Sequence, residues 1–146
     1  MLPYRYRRKT DNDSSGFEHV FLGERDADKK SISGLHNWIQ VYMEEKAGNL
    51  DYKGKIKQRS NYEGNEEFLT IQFEWRGEEK FVSSSLIGTS PEFEMALLSM
   101  CFFNGKEDTA VTLGPHQNVN IKCYTIRRKG RTYVGSAYPE KGNNKR

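Results

Sequence analysis

The chain has 146 residues, a formal net charge of +3 and a charged fraction of 29%. This length and composition predict one globular domain with a core of its own and exclude a disordered chain. No apolar run approaches the ~20 residues that a membrane span needs, and no segment resembling a signal peptide follows Met1.

The first elements in chain order are a polar arm and a short strand. Residues 1–16 are polar and basic, which predicts a loosely held arm ahead of a domain at 17–139, with a flexible tail at 140–146. Residues 17–22 combine aromatic and β-branched side chains, which favours a strand. This segment contains His19, the first of three histidines.

A helix is predicted next, because apolar residues at 35, 38, 39, 42 and 43 recur with helical spacing. Ser33 could cap its start and Gly48 could end it. Trp38 and Tyr42 lie on the apolar stripe and are predicted core residues. His36 would then lie in the first helical turn, where the backbone dipole disfavours the protonated imidazole.

The rest of the chain predicts antiparallel strands around one more helix. Residues 69–75 alternate apolar and polar side chains, a turn follows at 76–79, and 80–87 return as a strand with Lys80 at its mouth. Ser90 and Pro91 indicate a helix start, and Phe93, Ala96, Leu97 and Met100 are its predicted apolar face. Further strands are predicted at 109–113, 119–126 and 132–138, the last two joined by a turn at 129–130. The fold class is therefore α+β, with antiparallel sheets and packed helices.

Basic residues form three bunches, at 5–9, 53–59 and 122–131, and the last two adjoin tyrosines. Cations beside aromatic rings suit nucleic acid, because phosphates take the charge and bases stack on the rings. Solvated strand edges protected by lysine explain the same pattern, and charge alone leaves both interpretations open. The two cysteines, Cys101 and Cys123, lack metal-binding spacing, and their apolar neighbours favour two buried thiols over a disulfide.

His19 and His36 are the residues best suited to chemistry. An imidazole titrates near neutral pH, so two of them facing one cleft could move protons in opposite senses. If that cleft is basic, a phosphodiester is the natural substrate. His116 lies in a loop without a matching motif and is predicted to be incidental.

Four segments carry a family resemblance: Phe-Glu-His-Val-Phe-Leu-Gly-Glu at 17–24, Gly-Leu-His-Asn-Trp-Ile at 34–39, Ile-Gly-Thr-Ser-Pro-Glu-Phe-Glu at 87–94 and Gly-Ser-Ala-Tyr-Pro at 135–139. In this order they resemble the EndoU endoribonucleases, animal enzymes related to a nidoviral uridylate-specific endoribonuclease. The resemblance implies an EndoU-like catalytic lobe that cleaves single-stranded RNA at uridylates, leaving 2′,3′-cyclic phosphate and 5′-hydroxyl ends. It also implies stimulation by Mn²⁺.

The resemblance implies a role for several residues. His19, His36 and Lys80 match the catalytic residues, and Tyr138 matches the tyrosine that stacks on uracil. Ser136 is a further substrate contact, and so is one of the adjacent serines Ser83, Ser84 and Ser85, among which spacing favours Ser84. We predict His36 as the base, His19 as the acid and Lys80 as the cation that offsets phosphorane charge. Glu18 and Glu24 could orient His19 or ligate Mn²⁺, with orientation favoured. Tyr138 could instead be a packing residue of the sheet.

Two rival functions and several properties of the whole protein stay open. The first rival is an RNA-binding module that does not cut, and the second is a metal-dependent hydrolase with His19, Glu24 and His36 as ligands. Animal family members carry a helical lobe ahead of the first histidine, and its apparent absence predicts exposed apolar surface and possible self-association. The resemblance favours a secreted or endoplasmic-reticulum location over a nuclear one.

Overall fold

The computed structural model describes residues 3–4, 14–26, 30–56, 68–113 and 117–142. The basic bunch at 5–9, part of the bunch at 53–59, His116 and residues 143–146 lie outside the described residues. The helices and strands of the described chain are β1 (Pro3–Tyr4), β2 (Ser14–Ser15), a π-helical segment (Glu18–Leu22), β3 (Glu24–Asp26), β4 (Ser31–Ser33), α1 (Trp38–Lys46), β5 (Leu50–Lys55), β6 (Phe68–Trp75), β7 (Glu78–Leu86), α2 (Pro91–Phe103), β8 (Asp108–Leu113), β9 (Gln117–Arg128) and β10 (Arg131–Lys141).

Two three-stranded antiparallel sheets form the framework of the fold. One has the strand order β5–β6–β7 and the other β8–β9–β10, and a helix precedes each of them in the chain. Two short ribbons, β1–β2 and β3–β4, complete the described strands. The predicted α+β class with antiparallel sheets is confirmed, and the turns between β6 and β7 and between β9 and β10 lie where the sequence predicted them.

Two apolar clusters hold these elements together. The larger cluster joins α2 and the β8–β9–β10 sheet to Val20, Phe21 and Phe68. The smaller cluster, of Leu35, Leu50, Ile71, Phe73 and Trp75, lies against the β5–β6–β7 sheet. Val20 and Leu35, which belong to different clusters, each adjoin a histidine in sequence, so both histidine segments are fixed by core packing. Within the described residues, no helix is long and apolar enough to cross a membrane.

Three predictions for the first half of the chain are wrong. Residues 18–22 form a π-helical segment instead of a strand. Helix α1 begins after Asn37, whose side chain accepts a hydrogen bond from the backbone N–H of Gln40 at 3.1 Å. Ser33 lies in β4, so His36 precedes the helix. Tyr42 is 53% exposed and is not a core residue, whereas Trp38 is half-buried.

Helix α2 has the predicted start but a different buried face. Ser90 caps it, accepting from the N–H of Phe93 at 3.2 Å, with Pro91 at its first position. Its buried residues are Glu94, Leu97, Leu98 and Cys101. Of the predicted apolar face only Leu97 is buried, while Phe93 and Met100 are 43% and 70% exposed. The predicted self-association through exposed apolar surface stays a prediction.

Candidate active site

The two histidine segments are hydrogen-bonded to each other through their backbones. The N–H of Leu35 donates to the carbonyl of His19 at 3.0 Å, and the N–H of His36 donates to that of Val20 at 2.8 Å. Gly34 has a φ of +68°, and a Cβ there would lie 1.6 Å from the carbonyl oxygen of His19. Only glycine fits this close approach. The two histidines are therefore held side by side.

His19 is buried between an acidic and a hydroxyl partner. Its Nδ1 lies 2.8 Å from Oε2 of Glu24, and its Nε2 lies 3.2 Å from Oγ of Ser136 on β10. The hydroxyl of Ser14 donates to the other oxygen of Glu24. Glu24 thus contacts both His19 and Ser14, whereas Glu18 is exposed. The chain Ser14–Glu24–His19–Ser136 fixes the direction in which the His19 ring points.

His36 is held by a carbonyl and an aromatic ring. Its Nδ1 lies 3.0 Å from the carbonyl oxygen of Ser84 on β7, which makes Nδ1 the donor and leaves Nε2 as an acceptor. Its ring is stacked on Tyr138, with centroids 4.8 Å apart and an interplanar angle of 14°. Burial lowers the pKa of His36 to about 3, aided by the positive charges of Lys80 and His19. The ring is therefore neutral.

Lys80 lies on β7, opposite Phe73 of β6. Burial lowers the pKa of its amine to about 8, so the side chain is cationic at neutral pH and loses that charge above pH 8. Since the charges of Lys80 and His19 both act on the pKa of His36, the three groups share one electrostatic environment. The structure therefore places His36 within electrostatic range of both His19 and Lys80.

The residues predicted to contact uracil lie next to the two histidines. Ser136 contacts His19, and Tyr138 contacts His36. Ser84 is buried, and its hydroxyl lies 3.1 Å from that of Thr70. Burial raises the pKa of Tyr138, as does a hydrogen bond with Tyr124, so the phenol is neutral.

The sequence predicted no role for two residues near the site, Ser14 and Glu94, although Glu94 ends the motif at 87–94. Ser14 was assigned to the arm, yet it is buried against Glu24. Glu94 on α2 is also buried, and its Oε1 accepts from Thr89 at 2.7 Å and from Asn37 at 3.4 Å. Burial raises the pKa of Glu94. Asn37 directly follows His36, so Glu94 connects α2 to the segment that carries this histidine.

The described residues supply no metal centre. Among them, no group of three or more His, Cys, Asp or Glu side chains is arranged to hold a metal ion. The alternative in which His19, Glu24 and His36 ligate a metal is therefore wrong for this geometry. Both cysteines are free and buried, as predicted.

Similarity to known proteins identifies the family. A family model described as "Endoribonuclease XendoU" matches residues 4–139. The chain belongs to this endoribonuclease family. The family resemblance carried by the sequence motifs is confirmed.

Individual relatives agree with this assignment. The chain is 42% identical over 143 residues to "Uridylate-specific endoribonuclease C" of Danio rerio, covering 94% of the chain and 44% of the relative. The solved structure of XendoU, "a splicing independent snoRNA processing endoribonuclease", has a TM-score of 0.71 at 34% identity, covering 98% of this chain and 52% of that one. Nsp15 of Middle East Respiratory Syndrome Coronavirus has a TM-score of 0.56 at 18% identity, covering 87% and 34%, a similarity of fold alone. The chain thus spans about half the length of these family relatives.

Proposed function

We propose that this chain is the catalytic part of an endoribonuclease that cleaves single-stranded RNA at uridylates by transesterification. The observation that carries the proposal is the pairing of His19 and His36 through their backbones, beside the cationic Lys80. Curated relatives named for uridylate-specific cleavage support the same substrate. The products are 2′,3′-cyclic phosphate and 5′-hydroxyl ends.

In the proposed reaction His36 is the base. Its Nε2 takes the proton of the 2′-hydroxyl as the 2′-oxygen attacks phosphorus. His36 precedes α1, so a helix dipole does not explain its neutral ring. Burial and the positive charge of Lys80 lower its pKa, and they outweigh the hydrogen bond to the Ser84 carbonyl, which raises it. A base with a pKa of about 3 is weak. The negative charge of a bound phosphodiester raises that pKa towards neutrality, because it offsets Lys80 and His19.

His19 is the proposed acid. It gives its proton to the departing 5′-oxygen as the bond between phosphorus and that oxygen breaks. The Glu24 carboxylate at 2.8 Å from Nδ1 stabilises the protonated ring, and Nε2, next to the Ser136 hydroxyl, is the nitrogen that faces the substrate. The ammonium of Lys80 offsets the negative charge that accumulates on the phosphorane. RNA supplies its own nucleophile, so the two histidines account for both protons that are moved: His36 takes one and His19 gives one.

Uracil recognition is assigned to Tyr138, Ser136 and Ser84. Each lies within one contact of a catalytic histidine. A hydroxyl can accept from one partner while it donates to another, so Ser84 can hold Thr70 and still contact a base. Manganese stimulation belongs to the proposal through the family resemblance. Because Glu24 is engaged by His19 and Ser14, and Glu18 is exposed, these two carboxylates do not fit as a pair of metal ligands.

The test is end-group analysis on a defined single-stranded RNA with one uridine, with and without Mn²⁺. We expect one cut, a cyclic phosphate on the 5′ fragment, and no cut when that nucleotide is 2′-deoxyuridine. Binding without any cut would support the rival RNA-binding module. A 3′-hydroxyl or a cut at 2′-deoxyuridine would contradict the proposed reaction.

A further inference from the structure

The β9–β10 hairpin extends past the third strand of its sheet. The last pair between β8 and β9 is Asp108 with Lys122, whereas β9 and β10 continue to pair as far as Arg128 with Arg131. Residues 124–134 therefore form a two-stranded ribbon that ends in a tight turn at Lys129 and Gly130. Both residues of the turn have positive φ, of 46° and 75°.

The pairing of β9 with β10 shows which face of this ribbon lies on the same side as the candidate active site. Val134, which pairs with Thr125, packs against the larger apolar cluster, so this pair faces the core. Side chains of successive cross-strand pairs alternate between faces. The pairs Ile126–Tyr133 and Arg128–Arg131 therefore lie on the opposite face, as does Tyr124 next to Thr125. The register shifts by one residue between Val134 and Ser136, so Ser136, the partner of Tyr124, lies on this face too, where it contacts His19. We call these six residues the ribbon face.

The ribbon face is continuous with the candidate site. Tyr138, which is stacked on His36, lies 6.2 Å from Tyr124 between ring centroids. Tyr124 is 41% exposed, and Arg131 is exposed at the far end. From Tyr138 to Arg131 the strand covers about 20 Å, because an antiparallel strand rises about 3.4 Å per residue. That length accommodates several nucleotides of an extended strand.

Charge is distributed unequally on the two sides of Tyr138. On one side, Asp108 and Glu140 act electrostatically on its phenol, and Lys122 there is paired with Asp108 at 2.5 Å. On the other side, residues 124–134 contain four cations and no acid. A polyanion that leaves the site is therefore repelled from one direction and attracted in the other.

We propose that the ribbon face binds the RNA nucleotides that flank the cleaved uridylate, an inference that rests on the proposed function. Arg128 and Arg131 bind phosphates, and the rings of Tyr124 and Tyr133 stack on bases. Arg127 pairs with Thr132 on the opposite face. It has the same charge as its neighbour Arg128 but takes no part in binding, which makes it a matched control.

The test is fluorescence anisotropy with a labelled twelve-nucleotide RNA whose single uridine is 2′-deoxy, so that it binds without being cut. We expect Arg128→Gln and Arg131→Gln each to raise Kd about threefold to tenfold, and each to reduce the slope of log K against log salt by about 0.7. Arg127→Gln should leave Kd within about twofold. Equal effects of Arg127→Gln and Arg128→Gln would overturn the inference, because they would show a diffuse charge effect. No effect of Arg128→Gln and Arg131→Gln would overturn it as well.

Cleavage of uridylyl-adenosine, a dinucleotide too short to reach the ribbon, separates the two proposals. If the wild-type chain cuts the dinucleotide, and Arg127→Gln changes Kd as much as Arg128→Gln does, only the inference about the ribbon face fails. If neither the dinucleotide nor a ribo-uridine version of the long RNA is cut, the proposed reaction fails. The anisotropy result then still decides whether the ribbon face binds RNA. Thermal melting of the three variants checks that each remains folded.

Discussion

The imidazole of His36 and the phenol of Tyr138 lie almost parallel, with centroids 4.8 Å apart and planes inclined by 14°. This contact joins the segment before α1 to strand β10, two parts of the chain about a hundred positions apart. Tyr138 therefore has two proposed roles. One face of its ring packs on His36, the proposed base, and its side chain also stacks on the uracil.

Replacement of Tyr138 tests the platform. We expect Tyr138→Ala to reduce kcat/KM at uridine roughly tenfold, because stacking on an aromatic ring contributes about 1–3 kcal/mol per base. Tyr138→Phe is the matched control, since it keeps the ring and removes only the hydroxyl that contacts Tyr124. The measurement is kcat/KM on paired oligonucleotides that differ at one base. A domain that unfolds on Tyr138→Ala would favour a packing role.

The lowered pKa of His36 predicts that the fold is less stable in acid. The pKa of His36 is lowered from 6.5 to about 3, so below pH 6.5 the unfolded chain binds a proton that the native ring does not. Stability should therefore fall as pH decreases from 6.5 towards 3, by about 2 kcal/mol at pH 5 and on the order of 4 kcal/mol at the lower limit. Above pH 6.5 this contribution is constant.

Urea unfolding of the wild type and of His36→Gln at several pH values measures this effect. Other titrating groups, Glu94 included, contribute to both proteins, so the difference between the two curves isolates the histidine. We expect the free energy of unfolding to fall more steeply with acid in the wild type. Parallel curves would mean that the native His36 ring titrates normally.

Short-range sequence signals predicted much of the fold correctly. The turns at 76–77 and 129–130 need positive φ, and each ends in a glycine; Arg76 and Gly77 have φ of 52° and 82°. The alternation in β6 and the Ser90–Pro91 start of α2 depend likewise on neighbours in sequence. Such elements can be predicted because their geometry is set by the residues themselves.

The wrong predictions concern elements that distant contacts decide. Residues 18–22 have the composition of a strand, but the backbone of 35–36 donates to the carbonyls of His19 and Val20, and the segment stays helical. Ser33 could have capped a helix, yet Ser31–Ser33 pair with Glu24–Asp26 in the β3–β4 ribbon. The helix is therefore capped by Asn37 instead of Ser33, and His36 lies before the helix and not in its first turn.

The sequence predicted candidate residues of the site but not their environment. The motifs indicated both histidines and Tyr138, and the family resemblance added Lys80, whereas no role was predicted for Ser14 or Glu94, whose burial depends on distant contacts. The buried face of α2 illustrates the reason. Phe93 is more apolar than Glu94, but Glu94 accepts hydrogen bonds from Thr89 and Asn37. The face of α2 that carries Glu94 is therefore the buried one.

Lys80 predicts an alkaline limit on activity. Its pKa is lowered to about 8 by burial, so the proposed phosphorane cation is lost as pH rises through 8. The decreasing limb of kcat/KM, which reports the free enzyme, should contain this ionisation. Lys80→Arg keeps a charge that does not titrate in this range. We expect a lower maximum rate but no loss of charge near pH 8, and an unchanged alkaline limb would assign that limb to another group.

Glu24 predicts a loss of turnover without a loss of binding. One oxygen of its carboxylate lies 2.8 Å from Nδ1 of His19, and the other accepts a hydrogen bond from the hydroxyl of Ser14. Glu24→Gln keeps the shape but removes the charge that favours the acid form of His19, so kcat should fall about a hundredfold, the lower end of what general acid catalysis contributes. Ser14→Ala keeps the charge and removes one of its anchors, so we expect a smaller decrease. KM should stay within about twofold for both variants, since neither side chain is a proposed RNA contact. A rise in KM at constant kcat would show that Glu24 acts on substrate binding instead of on proton transfer by His19.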